Sequence, residues 1–334
     1  MNPPPSEIAP LSAPIEVEPF RVNASLNGRM VNVPSIGVGS CTVIVNGRWL
    51  RIATVHDEEW LDGEGVTDAS NFIHELKTGP VLADLFSFGP GPRQASISHP
   101  YHVEWDNYAA LPTESYQSWS KGLSQDTRRN IRLAAKRGVV LSPVPFDDDL
   151  VCGIMGIYNE SPYRQGRKFW HFGKDFETVK RENETYLDRS DFLGAYLGAE
   201  LIGFMKMVRV SSIASIMQIL AKNGHSDKKP MNALIAKAVE LCEQKGLSQL
   251  IYRKFIYDDN VDDPLTEFKR RNGFEQILVP RYFVPLTKRG ALGLKLGLHH
   301  GTKEMIPHPL KVLMKKARRA WMERKYPRTV CAQR

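Results

Sequence analysis

Along residues 191–285 the spacing of apolar positions switches between strand and helix periods in an order that can be read directly. Apolar runs at 192–197 and 201–208 are separated by Gly198, Ala199 and Glu200, which predicts a hairpin with glycine supplying the turn. A third apolar run at 215–221 predicts a strand, and a polar loop at 222–229 leads to Pro230 at a first helical position, where its missing N–H is harmless. Leu234, Ile235, Ala238, Val239 and Cys242 recur at helical spacing, and Gly246 stands where a left-handed cap would end that helix. Residues 250–257 then predict a strand, 264–272 a short basic helix closed by Gly273, and 277–284 a last strand.

Upstream the pattern is less regular. Residues 1–19 carry six prolines among small polar residues and read as an extended or disordered arm. Residues 41–55 predict a hairpin turned at Asn46-Gly47, and Asp68 a capped helix through Lys77 with Phe72, Ile73 and Leu76 on its buried stripe. Residues 81–88 and 101–105 read as strands, 115–138 as one long helix or two in succession, and 147–158 as a helix. In the tail, Leu310, Leu313, Met314, Ala317 and Trp321 fall on one helical face with lysines and arginines largely on the others.

A chain of 334 residues suggests two domains. The four cysteines are scattered without a CxxC pair, so neither a zinc site nor a disulfide framework is expected, and a reducing cytoplasm is the simple reading. No run reaches the roughly 18 apolar residues of a membrane span. The net charge of +8 is uneven: thirteen Lys and Arg against two Glu give residues 288–334 about +11, so the rest is mildly acidic. Such a tail suits an anionic membrane surface or a nucleic acid, and equally packing on the parent domain.

The order of elements, with Gly273-Phe274 closing the last helix, resembles the acyltransferase fold of the GNAT superfamily. More narrowly, PLTEFKRRNGFEQ and LSQDTRRNIRLAAKRGV resemble the FemAB group, which joins two GNAT-like domains and transfers aminoacyl groups to cell-wall precursors. The resemblance covers about residues 116–286. It implies an α/β fold with a mixed central sheet: a degenerate first GNAT-like domain at 20–114, an acyltransferase domain at 115–287 and a basic helical tail at 288–334. The implied function is transfer of an acyl or aminoacyl group to an amine of an anionic small molecule or cell-envelope precursor. The donor is acyl-CoA or aminoacyl-tRNA, used as a substrate with no bound cofactor or metal. Localisation would be cytoplasmic, with peripheral contact at the inner membrane surface open. A different reading is an inactive GNAT-like scaffold that binds a polyanion or membrane through its tail.

In such a fold an acyl thioester lies along the strand at 215–221 and the protein mainly aligns reactants, so no covalent nucleophile is required, and no GxSxG elbow is present. The resemblance places the donor at Gln218, Ile219, Lys222, Asn223, Gly224 and Lys229. The chain departs from the QxxGxG coenzyme A loop by lacking its glycines, and Phe268 replaces a tyrosine that many acetyltransferases use to protonate the leaving thiolate. Lys269 matches the lysine of the FemAB motif and is the catalytic candidate; the alternative is a surface lysine on a basic helix. Arg128 and Arg129, in a stretch of five cations within 128–137, are acceptor-binding candidates, since guanidinium forks suit phosphate and carboxylate. Tyr163, Arg164 and His171, in a loop rich in aromatics and cations, are the others, with a structural role for His171 also open. Asp191, Asp258, Glu267, His171 and Tyr257 all remain eligible as general base.

Overall fold

The computed structural model describes residues 19–26, 29–61, 65–66, 68–91, 98–164, 167–257 and 263–300; most of the proline-rich arm and the tail helix expected within 301–334 lie outside them. In chain order the first elements are β1 (Phe20–Leu26), β2 (Arg29–Val38), β3 (Cys41–Asn46), β4 (Ile52–Val55), α1 (Ala69–Thr78), β5 (Leu85–Phe88) and β6 (His102–Pro112). Then come α2 (Tyr116–Gly122), α3 (Gln125–Lys136), β7 (Val139–Val144), α4 (Asp148–Tyr158), the small hairpin β8 (Tyr163–Arg164) and β9 (Arg167–Lys168), and α5 (Phe176–Asn183). The remainder is β10 (Ser190–Leu197), β11 (Glu200–Val210), β12 (Ile213–Ala221), α6 (Pro230–Gln244), β13 (Gln249–Ile251), α7 (Pro264–Arg271), β14 (Glu275–Pro285) and α8 (Lys288–Lys295).

Apart from β8 and β9, the strands form one mixed sheet in the order β1-β2-β3-β4-β5-β14-β6-β13-β12-β11-β10-β7. Its two halves follow the same plan: an antiparallel series, a parallel pair bridged by a helix (β4 and β5 through α1, β12 and β13 through α6), then an antiparallel strand. The strand that completes each half comes from the other end of the chain. β14 lies beside β5 and β6 beside β13, and the two pair with each other from Glu275↔Ala110 to Phe283↔His102.

The alternation of side chains fixes the layers. Leu193 and Ala195 of β10 pack with α6, Trp119 of α2 and Ala134 of α3, while Phe192 just before them and Phe204 of β11 pack with α4 and Phe169 on the other face. α1 covers Phe86, Phe88, Tyr282 and Val284 in the first half. Every described α-helix except α6 begins at an Asp, Ser or Thr whose side chain accepts a first-turn N–H; α6 begins at Pro230.

Three expectations are corrected and one open alternative is decided. The strand over 250–257 is only β13, because Arg253 takes φ 44° and the chain swings away along β6. The strand over 81–88 is only β5; before it, Asp84 turns its carboxylate onto the Arg51 N–H and guanidinium. Of the two readings of 115–138, one long helix or two in succession, the structure has two, since Ser124 caps α3 after Leu123 leaves α2. The hairpin at 41–55 exists, but Asn46 pairs with Ile52, so residues 47–51 make the connection rather than Asn46-Gly47.

Candidate active site at the split of the sheet

β12 and β13 pair in parallel only at Ile213↔Gln249, Ala214↔Leu250 and Ser215↔Ile251. Beyond Ile251 the chain stays with β6, through Tyr252 N–H to Ala109 O (2.8 Å) and Ala109 N–H to Arg253 O (2.7 Å), while β12 runs on to Ala221 with β11. The sheet therefore opens between residues 216–221 and 252–257. At the mouth of the opening β12 carries a bulge: Lys206 faces Gln218 and Met207 faces Ile216, so Met217 is an extra residue.

Three of the five non-glycine residues with positive φ among the described residues meet on the face opposite α6. Asp57 (φ 54°), Tyr186 (φ 57°) and Arg253 (φ 44°) surround Trp60. The Tyr186 hydroxyl donates to Asp57, the Tyr186 ring lies 6.4 Å from Trp60, and the Arg253 guanidinium stands 5.6 Å over Trp60. Met217 joins the same apolar cluster with Tyr108 and Ile251. Left-handed backbone at a bulky residue persists only where the surroundings enforce it, and such residues concentrate at functional sites. Burial and the Asp57 bond both push the Tyr186 hydroxyl up. Burial pushes Asp57 up as well, but the hydrogen bonds of His56 and Tyr186 outweigh it and hold the carboxyl below its ordinary value.

On the α6 face lies Lys269. It is fully buried, so the surface-lysine alternative is excluded. Its Nζ donates to the carbonyl of Lys254 and sits 4.4 and 4.8 Å from the rings of Tyr252 and Tyr257, within the segment that leaves β12. Burial, with help from nearby Arg253 and against Asp263, pushes the amine down to about 7. Trp119 Nε1 donates to Asn272 O (2.9 Å) and Asn232 Nδ2 to Asn272 Oδ1 (3.0 Å), which fastens the end of α7.

The other sequence candidates divide between the two faces. Gln218 is bonded to the Tyr158 hydroxyl (2.8 Å) and to His171 Nε2 (3.0 Å), whereas Ile219 turns its side chain into the core under α6 and offers the opening only main chain. His171 is buried between Tyr158 and Trp170, and burial with Lys174 and Arg164 pushes it down to about 3, which keeps the ring neutral. Arg164 spans from β8 to the carbonyls of Ala221 (2.8 Å) and Ile157 (2.9 Å), so it braces α4 against the end of β12; Tyr163 beside it is half-buried. Arg128 donates to Lys121 O (3.0 Å) at the end of α2, and Arg129 is exposed on α3. α3 packs on the α6 face and His171 on the other, so the two acceptor-candidate groups are not brought together.

The loop after β12 has a specific occupant. The N–H groups of Asn223 and Gly224 donate to the two carboxylate oxygens of Glu160, at 2.7 and 2.8 Å. Lys222 pairs with Glu200 at 2.6 Å, and Lys229 takes φ 57° as it hands the chain to α6. An internal carboxylate thus lies on the main-chain donors at this turn, ahead of the first residue of α6. Of the base candidates, Asp191 is paired with Lys245 (2.5 Å) and Arg209 (3.5 Å), and Glu267 with Arg270 (2.6 Å) and Arg271 (2.7 Å) on the surface. Asp258 lies outside the described residues. Trp60, Asp57, Tyr186, Glu160 and the Met217 bulge were not anticipated from sequence. No described helix is long and apolar enough to cross a membrane.

No protein-family model matches the chain, and no curated protein matches it significantly. Solved structures do. FemX superimposes with a TM-score of 0.52 at 10% identity, over 83% of this chain and 90% of FemX. The C-terminal domain of a protein from Agrobacterium fabrum, assigned as a lysylphosphatidylglycerol synthetase, superimposes with a TM-score of 0.50 at 12% identity, over 78% of this chain and 86% of that one. The likeness is one of fold: the chain shares with FemX a GNAT-like mixed α/β fold, its sheet built from two halves of the same plan.

Proposed function

We propose that this chain is an aminoacyltransferase that uses the opening between β12 and the segment after β13 to pass an aminoacyl group from a tRNA ester to an amine of an anionic cell-envelope precursor. The observation that carries the transferase reading is the split itself, with a bulge on one wall and the buried amine of Lys269 behind the other. The choice of donor rests on Glu160, whose carboxylate sits where a coenzyme A pyrophosphate would need the same N–H groups. The acceptor class follows from the FemAB resemblance of PLTEFKRRNGFEQ, which the fold shared with FemX supports.

In the reaction the acceptor nitrogen adds to the ester carbonyl, forming the C–N bond. The tetrahedral oxyanion collapses, the C–O bond to the ribose breaks, and the proton lost by the amine ends on the departing hydroxyl. Charge builds on oxygen during addition, and Lys269, as ammonium, is the group assigned to stabilise it. Trp60, Tyr186 and Arg253 would receive the acceptor on the opposite face, where Asp57 holds the Tyr186 hydroxyl in place.

The test offers the full chain labelled aminoacyl-tRNAs or labelled acetyl-CoA, with a nucleotide-sugar peptide precursor that carries a free amine as acceptor. Label should move from aminoacyl-tRNA only. Lys269→Ala should lower the rate by roughly 10²–10³, the size of a lost oxyanion donor, and the neighbouring Arg270→Ala should leave it unchanged. Transfer from acetyl-CoA would overturn the donor assignment. Equal rates in the two variants would remove Lys269 from the chemistry, and no transfer from any donor would favour the scaffold reading.

A further inference from the structure

At the far end of the β6–β14 pair, away from the opening, three imidazoles converge on one carboxylate. Glu104 Oε1 lies 2.7 Å from His299 Nε2, 3.3 Å from His300 Nε2 and 3.4 Å from His102 Nε2. The ligand atoms of Glu104, His299 and His300 all fall within 4.8 Å of one another. Donors around a tetrahedral zinc ion, each bound at about 2.0–2.1 Å, stand about 3.3 Å apart, so small side-chain adjustments would bring this set to that spacing.

The set is also held in place. The His299 side chain is 2% exposed, its ring packs edge-on against Phe283 at 4.6 Å, and its Nδ1 has no hydrogen-bond partner among the described residues. The polar function of that buried ring is therefore expressed through Nε2, toward Glu104. Glu104 and His300 are partly exposed, at 30% and 39%, which leaves an entry path and room for a water as fourth ligand. His102 Nε2 also reaches Glu104 Oε1, at 3.4 Å, as outer hydrogen bonds commonly orient a ligating carboxylate.

We propose that Glu104, His299 and His300 form a binding site for one divalent transition-metal ion, with zinc as the best fit to a two-imidazole, one-carboxylate set. The ion would clamp the turn after α8 to β6. The fold gives this position meaning, because β6 carries Asp106 two residues further along the same face, where it pairs with Arg281 at 2.6 Å.

The test uses the full chain after chelator treatment, titrated with Zn2+ by calorimetry and thermal melting and with Co2+ by its visible absorption. One ion per chain should bind, raise the melting temperature and give the bands of low-coordinate Co2+. Glu104→Gln and His300→Ala, both at partly exposed positions, should each weaken binding by about tenfold or more, while His74→Ala on exposed α1 should not. Absence of saturable uptake by the native chain would overturn the proposal, and so would uptake that is unchanged in both variants.

Discussion

Among the described residues two lysines lie fully buried, and their surroundings separate a structural amine from an available one. Lys206 Nζ donates to Asn183 O (2.8 Å), Thr185 O (2.6 Å) and Thr185 Oγ1 (3.0 Å), which uses all three of its N–H groups at the end of α5. Lys269 has one hydrogen-bond acceptor among the described residues and two aromatic faces, so its amine keeps donor capacity. Its shift makes a measurable statement about stability. The unfolded chain holds this proton up to about pH 10.4, whereas the folded chain releases it at about 7. Between those values the unfolded state binds more protons, so stability rises with pH through that window; below about 7 both states hold the proton and the slope vanishes. Urea unfolding of the native chain and Lys269→Met across pH 7 to 10 should show the native chain gaining on the variant by on the order of a few kcal/mol. Parallel stability curves would mean that the amine reaches water.

At the scale of elements, α7 and its closing Gly-Phe pair were legible because glycine and periodicity announce themselves locally. Gly273 takes φ 85°, and a Cβ there would meet Trp119 Nε1 at 3.0 Å, so both backbone and space require glycine. Gly273→Ala should lose about 1–2 kcal/mol or more in denaturant unfolding, and a loss within error would show that Trp119 yields freely. Lys269's burial was not legible, since Arg270 and Arg271 make the same helix read as basic and solvated. The fate of the loop after β12 was hidden for another reason: Glu160, which satisfies Asn223 and Gly224, lies more than 60 residues earlier in the chain. Nor did Asp57, Tyr186 and Arg253 signal their left-handed backbone, which tertiary contacts impose. The loop carries its own prediction. Glu160→Ala frees two N–H groups beside Arg164, and calorimetry should then detect inorganic pyrophosphate binding that the native chain lacks, at a cost of about 1–3 kcal/mol in stability. Pyrophosphate binding to both proteins would mean that the carboxylate does not block the turn.

For the whole molecule, the exchange of β6 and β14 makes the two halves interdependent, and a half-buried ionic network sits on the seam. Arg281 on β14 bonds Glu58 of the first half at 2.9 Å and Asp106 on β6 at 2.6 Å, Glu58 accepts the Gly89 N–H at 2.8 Å, and Lys254 reaches Asp106 at 3.6 Å. Burial opposes charge on Arg281, but Glu58 and Asp106 outweigh it and raise its pKa. Burial dominates at Glu58 and pushes its carboxyl up even with the arginine alongside. A network that balances desolvation against attraction in this way does little net stabilising while intact and leaves exposed costs when one member is removed. Arg281→Met should therefore destabilise the chain by about 3–5 kcal/mol, because two carboxylates lose their counter-ion. Adding Glu58→Leu and Asp106→Leu to the same protein should recover most of that loss. Because the seam joins both halves, denaturant curves followed by tryptophan fluorescence and by far-ultraviolet circular dichroism should coincide in the native chain. In Arg281→Met they should separate if one half opens first. Coincident curves with a loss under about 1 kcal/mol would show that the strand exchange holds through its backbone ladder and apolar contacts alone.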